Sequence, residues 1–127
     1  MKKTMLALAS AFSLAATCAL ADVKSEIVTA ETHAGLAAKA TALDGVHMHL
    51  HHAVNCLVGA NGEGFDAKQL NPCAHNGNGA IPDTADAAKK ARLQAAVDKA
   101  ESGIAATDLA TAQKAATDTE AMLKAEE

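Results

Sequence analysis

Bulky aromatic side chains are almost absent from this chain, whereas alanine is abundant. The sequence holds two Phe and no Trp or Tyr, and about a quarter of its residues are alanine. Each alanine buries little apolar area, and burial contributes only about 25 cal/mol per Å². A stable fold therefore requires helices that approach closely along alanine seams, and a domain this small benefits from a covalent staple.

The first 21 residues have the organisation of an export signal. Two lysines precede an apolar run from Met5 to Ala16, which is too short to remain as a membrane anchor. An Ala-Leu-Ala tripeptide that ends at Ala21 supplies the small residues that signal peptidase requires, so we expect cleavage there. Cys18 follows a threonine, which fits a lipobox badly and makes lipidation the less favoured alternative. This pattern predicts a periplasmic or secreted protein without a membrane span.

Residues 22–127 are long enough for one domain. This part of the chain excludes Lys2 and Lys3 and carries nine basic and fifteen acidic side chains. The negative net charge argues against nucleic acid and anionic membranes as partners. Two cysteines remain, Cys56 and Cys73, and an oxidising compartment favours a disulfide over a pair of thiolate metal ligands. Because 17 residues separate them, the loop-entropy estimate for this bond is about 3 kcal/mol.

The single domain divides into a helical segment at 22–58, a loop at 59–83 and a second helical segment at 84–125. In the first segment the core-facing positions keep one a/d register. These positions are His33, Leu36, Ala40, Leu43, His47, Leu50, Val54 and Leu57. Since the register does not slip at Asp44-Gly45, it favours one long, bent helix over a hairpin. Gly59 is expected to end this helix as its C-cap.

The loop is rich in glycine and proline, and Phe65 is expected to pack from it against the bundle. In the last segment, Asp83 or Thr84 is the expected N-cap. Two stripes follow, Leu93, Val97, Ala100 and Ile104, and then Ala105, Leu109, Ala112, Ala116, Thr119 and Leu123. The stripes lie out of register and meet at Ser102-Gly103, which indicates two helices. The predicted fold is all-α, a small antiparallel bundle of three to four helices with a long disulfide-tied loop.

Four of the six histidines lie within six consecutive positions of the segment from Val46 to Cys56. Helix pitch places His47 and His51 on one face and His49 and His52 on another. Imidazoles one turn apart on a helix can chelate a single ion, and neutral imidazole suits Cu, Zn and Ni. This cluster is the candidate for chemistry.

Two imidazoles do not complete a tetrahedral shell. His33 contributes only if the first segment folds back, because on one continuous helix it lies about 21 Å from His47. A disulfide would bring His75 toward the end of the first segment, and Met48 adds a soft thioether that favours copper if it points the same way. In the alternative interpretation, His47 on the a/d seam is a hydrogen-bonded core residue, and His49 and His52 are solvated surface residues.

The chain resembles a group of small exported bacterial proteins of uncharacterised function, over most of its exported part. The matching segments are Thr32 to Ala37, His47 to Gly59, and Asn71-Pro72-Cys73 with Gly77-Asn78-Gly79-Ala80. More loosely, the chain is similar to small periplasmic proteins whose histidine-rich bundle binds copper and other divalent ions. That resemblance implies a metal buffer or scavenger with the ligands His33, His47, His49, His51 and His52. The last two helices contain no histidine, which indicates one or two sites.

The sequence lacks the motifs of covalent haem attachment, of serine hydrolases and of EF-hand calcium loops, so we expect no enzyme. The leading hypothesis is a periplasmic binding protein or buffer for a divalent transition metal (Cu, Zn or Ni). Its predicted ligands are His47, His51, His49, His52, His33 and His75. The alternative is an envelope interaction or stress protein with a protein partner, in which the histidines are incidental.

Overall fold

The structure is a computed structural model that describes residues 21–127, so most of the predicted signal peptide and Cys18 lie outside the described residues. Within residues 21–127 the chain forms five helices and no strand. They are α1 (Val23–Lys39), α2 (Leu43–Val58), α3 (Ala80–Asp83), α4 (Ala87–Ile104) and α5 (Leu109–Lys124). The all-α prediction is confirmed, and no described helix combines the length and apolarity that crossing a membrane requires.

The first segment is a helical hairpin, and the expectation of one long helix is wrong. α1 starts after Asp22, whose carboxylate accepts a hydrogen bond from the Ser25 amide, and it ends at Ala40, which has an extended backbone. The Ala40 carbonyl accepts a hydrogen bond from Gln113 Nε2 of α5 at 2.8 Å. Residues 40–42 reverse the chain, so the break precedes Asp44-Gly45, which lie in the first turn of α2.

Burial explains why the helix breaks. The fully buried apolar side chains of α1 are Ile27, Ala30, Ala34 and Ala37, whereas Leu36, a member of the expected register, is 44% exposed. A continuous helix would extend beyond the other helices and leave this alanine-rich stripe without a cover. The hairpin instead packs the stripe against α2 and α5, where small side chains allow close contact.

Gly59 ends α2, as expected, with a φ of +71° that favours glycine. The Cys56–Cys73 disulfide is also confirmed and ties the loop to the last turn of α2. Phe65 is half-buried and packs against the core cluster, which confirms its expected position. The loop is therefore fastened to the bundle at two points.

Asn55 provides a third attachment through its fully buried side chain. Its Nδ2 donates to the carbonyls of Asp66 at 3.0 Å and Leu70 at 3.1 Å, and its Oδ1 accepts from the Asp66 amide at 2.9 Å. The amide satisfies backbone groups that the loop would otherwise leave unpaired. Residues 66–70 consequently lie fixed against α2.

The N-cap of α4 is Asp86, which corrects the expectation of Asp83 or Thr84. The Asp86 carboxylate accepts from the Ala88 amide at 2.8 Å. Asp83 and Thr84 belong instead to the short helix α3, where the Thr84 hydroxyl donates to the Ala80 carbonyl at 2.6 Å. Asp and Thr are both good N-caps. Because Asp83 and Thr84 form the end of α3, Asp86 is the residue that caps α4.

α4 and α5 are separate helices, as the two stripes predicted, but the junction is not at Ser102-Gly103. α4 continues through both residues to Ile104, and Asp108 caps α5 by accepting from the Thr111 amide. Gly103 is buried, and a Cβ there would lie 2.6 Å from Leu50 Cδ1 and 2.9 Å from Ala115 Cβ. Gly103 therefore allows α4 to pack closely against α2 and α5, and it does not end α4.

The four long helices form a bundle in which α1 lies between α2 and α5, and α4 contacts α2 and α5. Short turns join α1 to α2 and α4 to α5, as in antiparallel helix pairs. The larger core side chains are few, namely Ile27, Val46, Leu50, Val54, Leu57, Leu93, Val97 and Leu123. Alanines fill most other buried positions of the core. The bundle thus holds the α1–α2 hairpin, which carries five of the six histidines, in a fixed arrangement.

Candidate metal centre

Three histidines from two helices converge on the α1–α2 seam. His33 lies on α1, and His49 and His52 lie one turn apart on α2. One ring nitrogen from each lies within 4.8 Å of the other two. We call this group the His33–His49–His52 triad.

The hairpin itself produces this convergence. His33 precedes Ala40 by seven residues, and His49 follows Ala42 by seven, so the antiparallel helices place both at the same level. His52 lies on the same face of α2 as His49 because three residues are nearly one helical turn. A continuous helix would have separated His33 from the other two.

The three rings form a nearly equilateral triangle. Their centroids lie 5.1 Å apart for His33 and His52, 5.5 Å for His33 and His49, and 5.7 Å for His49 and His52. Nδ1 of His33 and Nδ1 of His49 are 3.3 Å apart, a distance at which a neutral N–H on one ring donates to the other. His52 stands edge-on to both partners.

These distances suit a small transition-metal ion. Zinc–imidazole bonds of 2.0–2.1 Å in a tetrahedron place the ligand nitrogens about 3.3 Å from one another. The His33–His49 pair has that spacing already, and a ring nitrogen of His52 lies within 4.8 Å of both partners. Three protein ligands leave the fourth tetrahedral position open.

Burial keeps two of the imidazoles neutral. His52 is buried, while His33 and His49 are half-buried. Removal from water lowers the pKa of His33, and proximity to His52 and His49 lowers it further. The pKa of His52 is lowered by burial first and then by His49 and His51. Only neutral imidazole has a lone pair for a metal, so both rings are in the ligating form at neutral pH.

His52 has an unsatisfied polar atom in the described chain. Its Nδ1 is buried and has no hydrogen-bond partner among residues 21–127. An unpaired buried nitrogen costs free energy, and it is rare enough in native proteins to require an explanation such as an ion. The alternative interpretation of His52 as a solvated surface residue is wrong, because its side chain is buried.

The other three candidate ligands lie outside the triad. Nε2 of His47 is 3.1 Å from the Ala106 carbonyl oxygen, which matches the interpretation of His47 as a hydrogen-bonded residue of the bundle. Nδ1 of His51 is also buried without a hydrogen-bond partner in the part of the chain that the structure describes, and it faces Oδ2 of Asp66 at 3.7 Å. His75 is exposed on the loop. The structure separates the six histidines into three that share a site and three that do not.

Comparisons of the chain with protein-family models, with curated proteins and with solved structures find no match. The geometry of the triad therefore carries the functional conclusion.

Proposed function

We propose that this protein is a periplasmic binding protein or buffer for a divalent transition metal, with His33, His49 and His52 as the ligands. The single observation that supports it most is the convergence of three ring nitrogens from two helices to within 4.8 Å. Neutral nitrogen ligands favour Cu, Zn and Ni over Mg and Ca, which prefer oxygen.

The bundle supports this role by holding the ligands in place before an ion arrives. His33 and the α2 histidines lie on helices that pack against each other along buried alanines. The ion then meets rings whose backbone positions are already fixed, which reduces the ordering cost of binding. Two histidines on one exposed helix would lack this advantage.

We propose binding rather than catalysis. The ligand group found among the described residues consists of imidazoles alone and includes no carboxylate. A cavity of about 580 Å³ is present, but its walls come from α4, α3, the loop and the end of α2, with Gln94, Ile81, Glu63 and Val58 among its residues. It is therefore lined by residues other than the triad.

The disulfide supports an exported location. Such bonds persist in oxidising compartments and are rare in the reducing cytosol, so Cys56–Cys73 agrees with the export signal read from the first 21 residues. The proposed working compartment is the periplasm.

Calorimetric titration with Cu²⁺, Zn²⁺ and Ni²⁺ at neutral pH tests the proposal. We expect one saturable site tighter than about 10 µM, since weaker binding is typical of adventitious chelation. Replacing His33, His49 and His52 together by Gln should abolish it. Replacing the other three histidines in the same way is the matched control and should leave it intact.

Two results would contradict the proposal. One is the absence of a saturable site for all three metals. The other is equal loss of binding in the two triple variants, which would mean that histidine number rather than the triad determines affinity. A triad variant that keeps its cellular phenotype would favour the alternative of a protein partner.

A further inference from the structure

The triad leaves one tetrahedral position without a protein ligand, and its three imidazoles bring no negative charge to the ion. A side chain that supplied a fourth ligand would therefore influence which metal the site prefers. One of the residues that neighbour the triad histidines along α2 carries sulfur.

That residue is Met48, which directly precedes His49 and lies one turn before His52. Around the helix axis its side chain starts about 40° from that of His52 and about 100° from that of His49. The spacing between Met48 and His52, i and i+4, is one at which two helical side chains meet.

Its exposure and flexibility agree with a ligand role. Met48 is 40% exposed, so packing does not hold its thioether inside the bundle. Three rotatable bonds let the sulfur adopt many positions at small cost. The hairpin places His33 and His49 at the same level, and Met48 is the residue next to His49 along α2.

We propose that the Met48 thioether is the fourth ligand and that it makes the site selective for copper, including Cu(I), over zinc. This inference rests on the proposed metal-binding function. Thioether sulfur is a soft donor that stabilises Cu(I), whereas zinc sites in proteins use thiolate, imidazole and carboxylate. A site of three imidazoles and one thioether is uncharged, which suits the monovalent ion.

The test compares Cu(I) and Zn²⁺ affinities of the whole protein and of Met48→Leu, which keeps the apolar volume and removes the sulfur. Cu(I) is titrated without oxygen, in competition with a chromophoric Cu(I) chelator, and Zn²⁺ by calorimetry. Met122→Leu, on α5 rather than on the two helices that carry the triad, is the matched control. We expect Met48→Leu to weaken Cu(I) binding about tenfold or more, equivalent to at least 1.4 kcal/mol, and to leave Zn²⁺ binding unchanged.

X-ray absorption of the Cu(I)-loaded protein supplies a readout that a packing role would not change. We expect a sulfur neighbour at the copper in the wild-type protein and in Met122→Leu, and only nitrogen neighbours in Met48→Leu.

The outcomes separate this inference from the function on which it rests. Unchanged Cu(I) affinity in Met48→Leu, together with loss of binding in the triad variant, would overturn the thioether ligand and leave the proposed function standing. An equal loss of Cu(I) and Zn²⁺ affinity would show a packing role and would also overturn it. A wild-type protein that binds neither ion would remove both proposals.

Discussion

At the scale of single residues, Glu26 is the acidic side chain that sequence patterns did not single out. It lies in the first turn of α1 and is fully buried. Its Oε1 accepts a hydrogen bond from the Gly79 amide at 3.0 Å, while Oε2 has no partner among the described residues. Burial raises the pKa of Glu26, and Asp83 and Asp22 raise it further against the opposing effect of the Gly79 hydrogen bond.

This shift fixes the sign of a pH dependence. Because the folded-state pKa of Glu26 lies above its unfolded value, the contribution to stability is complete below the unfolded pKa and is lost as pH rises through the folded pKa. Glu26→Gln keeps an oxygen for the Gly79 amide and removes the charge. We expect it to raise the free energy of unfolding by about 1 kcal/mol at pH 7, the scale of one unsatisfied buried group, and to change it little below about pH 4.

Urea unfolding at several pH values measures this effect. Glu31→Gln, at a half-exposed position of the same helix, is the control and should be nearly neutral throughout. A destabilised Glu26→Gln at pH 7 would contradict the prediction, since it would mean that the folded protein favours the charged carboxylate.

At the scale of helices, Gly103 determines how closely α4 approaches α2 and α5. A methyl group there would lie 2.6 Å from Leu50 Cδ1 and 2.9 Å from Ala115 Cβ. Overpacking of this kind costs about 1–3 kcal/mol, and the better helix propensity of alanine returns up to about 1 kcal/mol. We therefore expect Gly103→Ala to lower the free energy of unfolding by about 1 kcal/mol in denaturant titrations.

Gly45→Ala is the matched control because Gly45 is also helical, yet its nearest contact for an added Cβ is a single methyl at 3.3 Å, that of Ala40. There the helix propensity should dominate and stability should stay equal or rise. If Gly103→Ala proves as stable as Gly45→Ala, close packing at the α4 crossing is not what requires glycine.

Some of the helix ends and loop contacts were predictable from the sequence, and the α1–α2 turn was not. The Gly59 cap, the disulfide and the Phe65 contact followed from residue chemistry and were correct. The α1–α2 turn was not predictable locally, because Lys39 to Leu43 contains neither glycine nor proline. Ala40 takes an extended backbone where α1 packs against α2 and α5, and its carbonyl accepts a hydrogen bond from Gln113. The continuation of the a/d register across the turn is a coincidence.

The α1–α2 hairpin also determines which histidines can share an ion. With one long helix, His33 lies far from the cluster and the i, i+4 pair of His47 and His51 is the natural chelate. With the hairpin, His33 joins His49 and His52. The sequence indicated histidine as the candidate ligand type, but the choice among six histidines depended on the long-range contact between α1 and α2.

At the scale of the whole molecule, the disulfide is one cross-link, and an ion bound by the triad would be a second. The disulfide joins the end of α2 to the loop, and the triad joins α1 to α2. A small domain with a thin alanine core has little stability to spare. Ion binding to the folded state alone would add to it directly.

We expect Zn²⁺ at a hundred times its dissociation constant to stabilise the fold by about 2.7 kcal/mol, which is roughly 10 °C in melting temperature for a domain of this size. His33→Gln should remove most of this gain, because the remaining ligands lie on one helix and no longer join two. Because the pKa values of His33 and His52 are lowered, protons displace the ion from these two rings only at a lower pH than from an ordinary imidazole. The gain should disappear as pH falls below neutrality and the triad becomes protonated. Melting curves with and without Zn²⁺ across this pH range provide the measurement. An equal gain in His33→Gln would mean that the ion does not connect the helices.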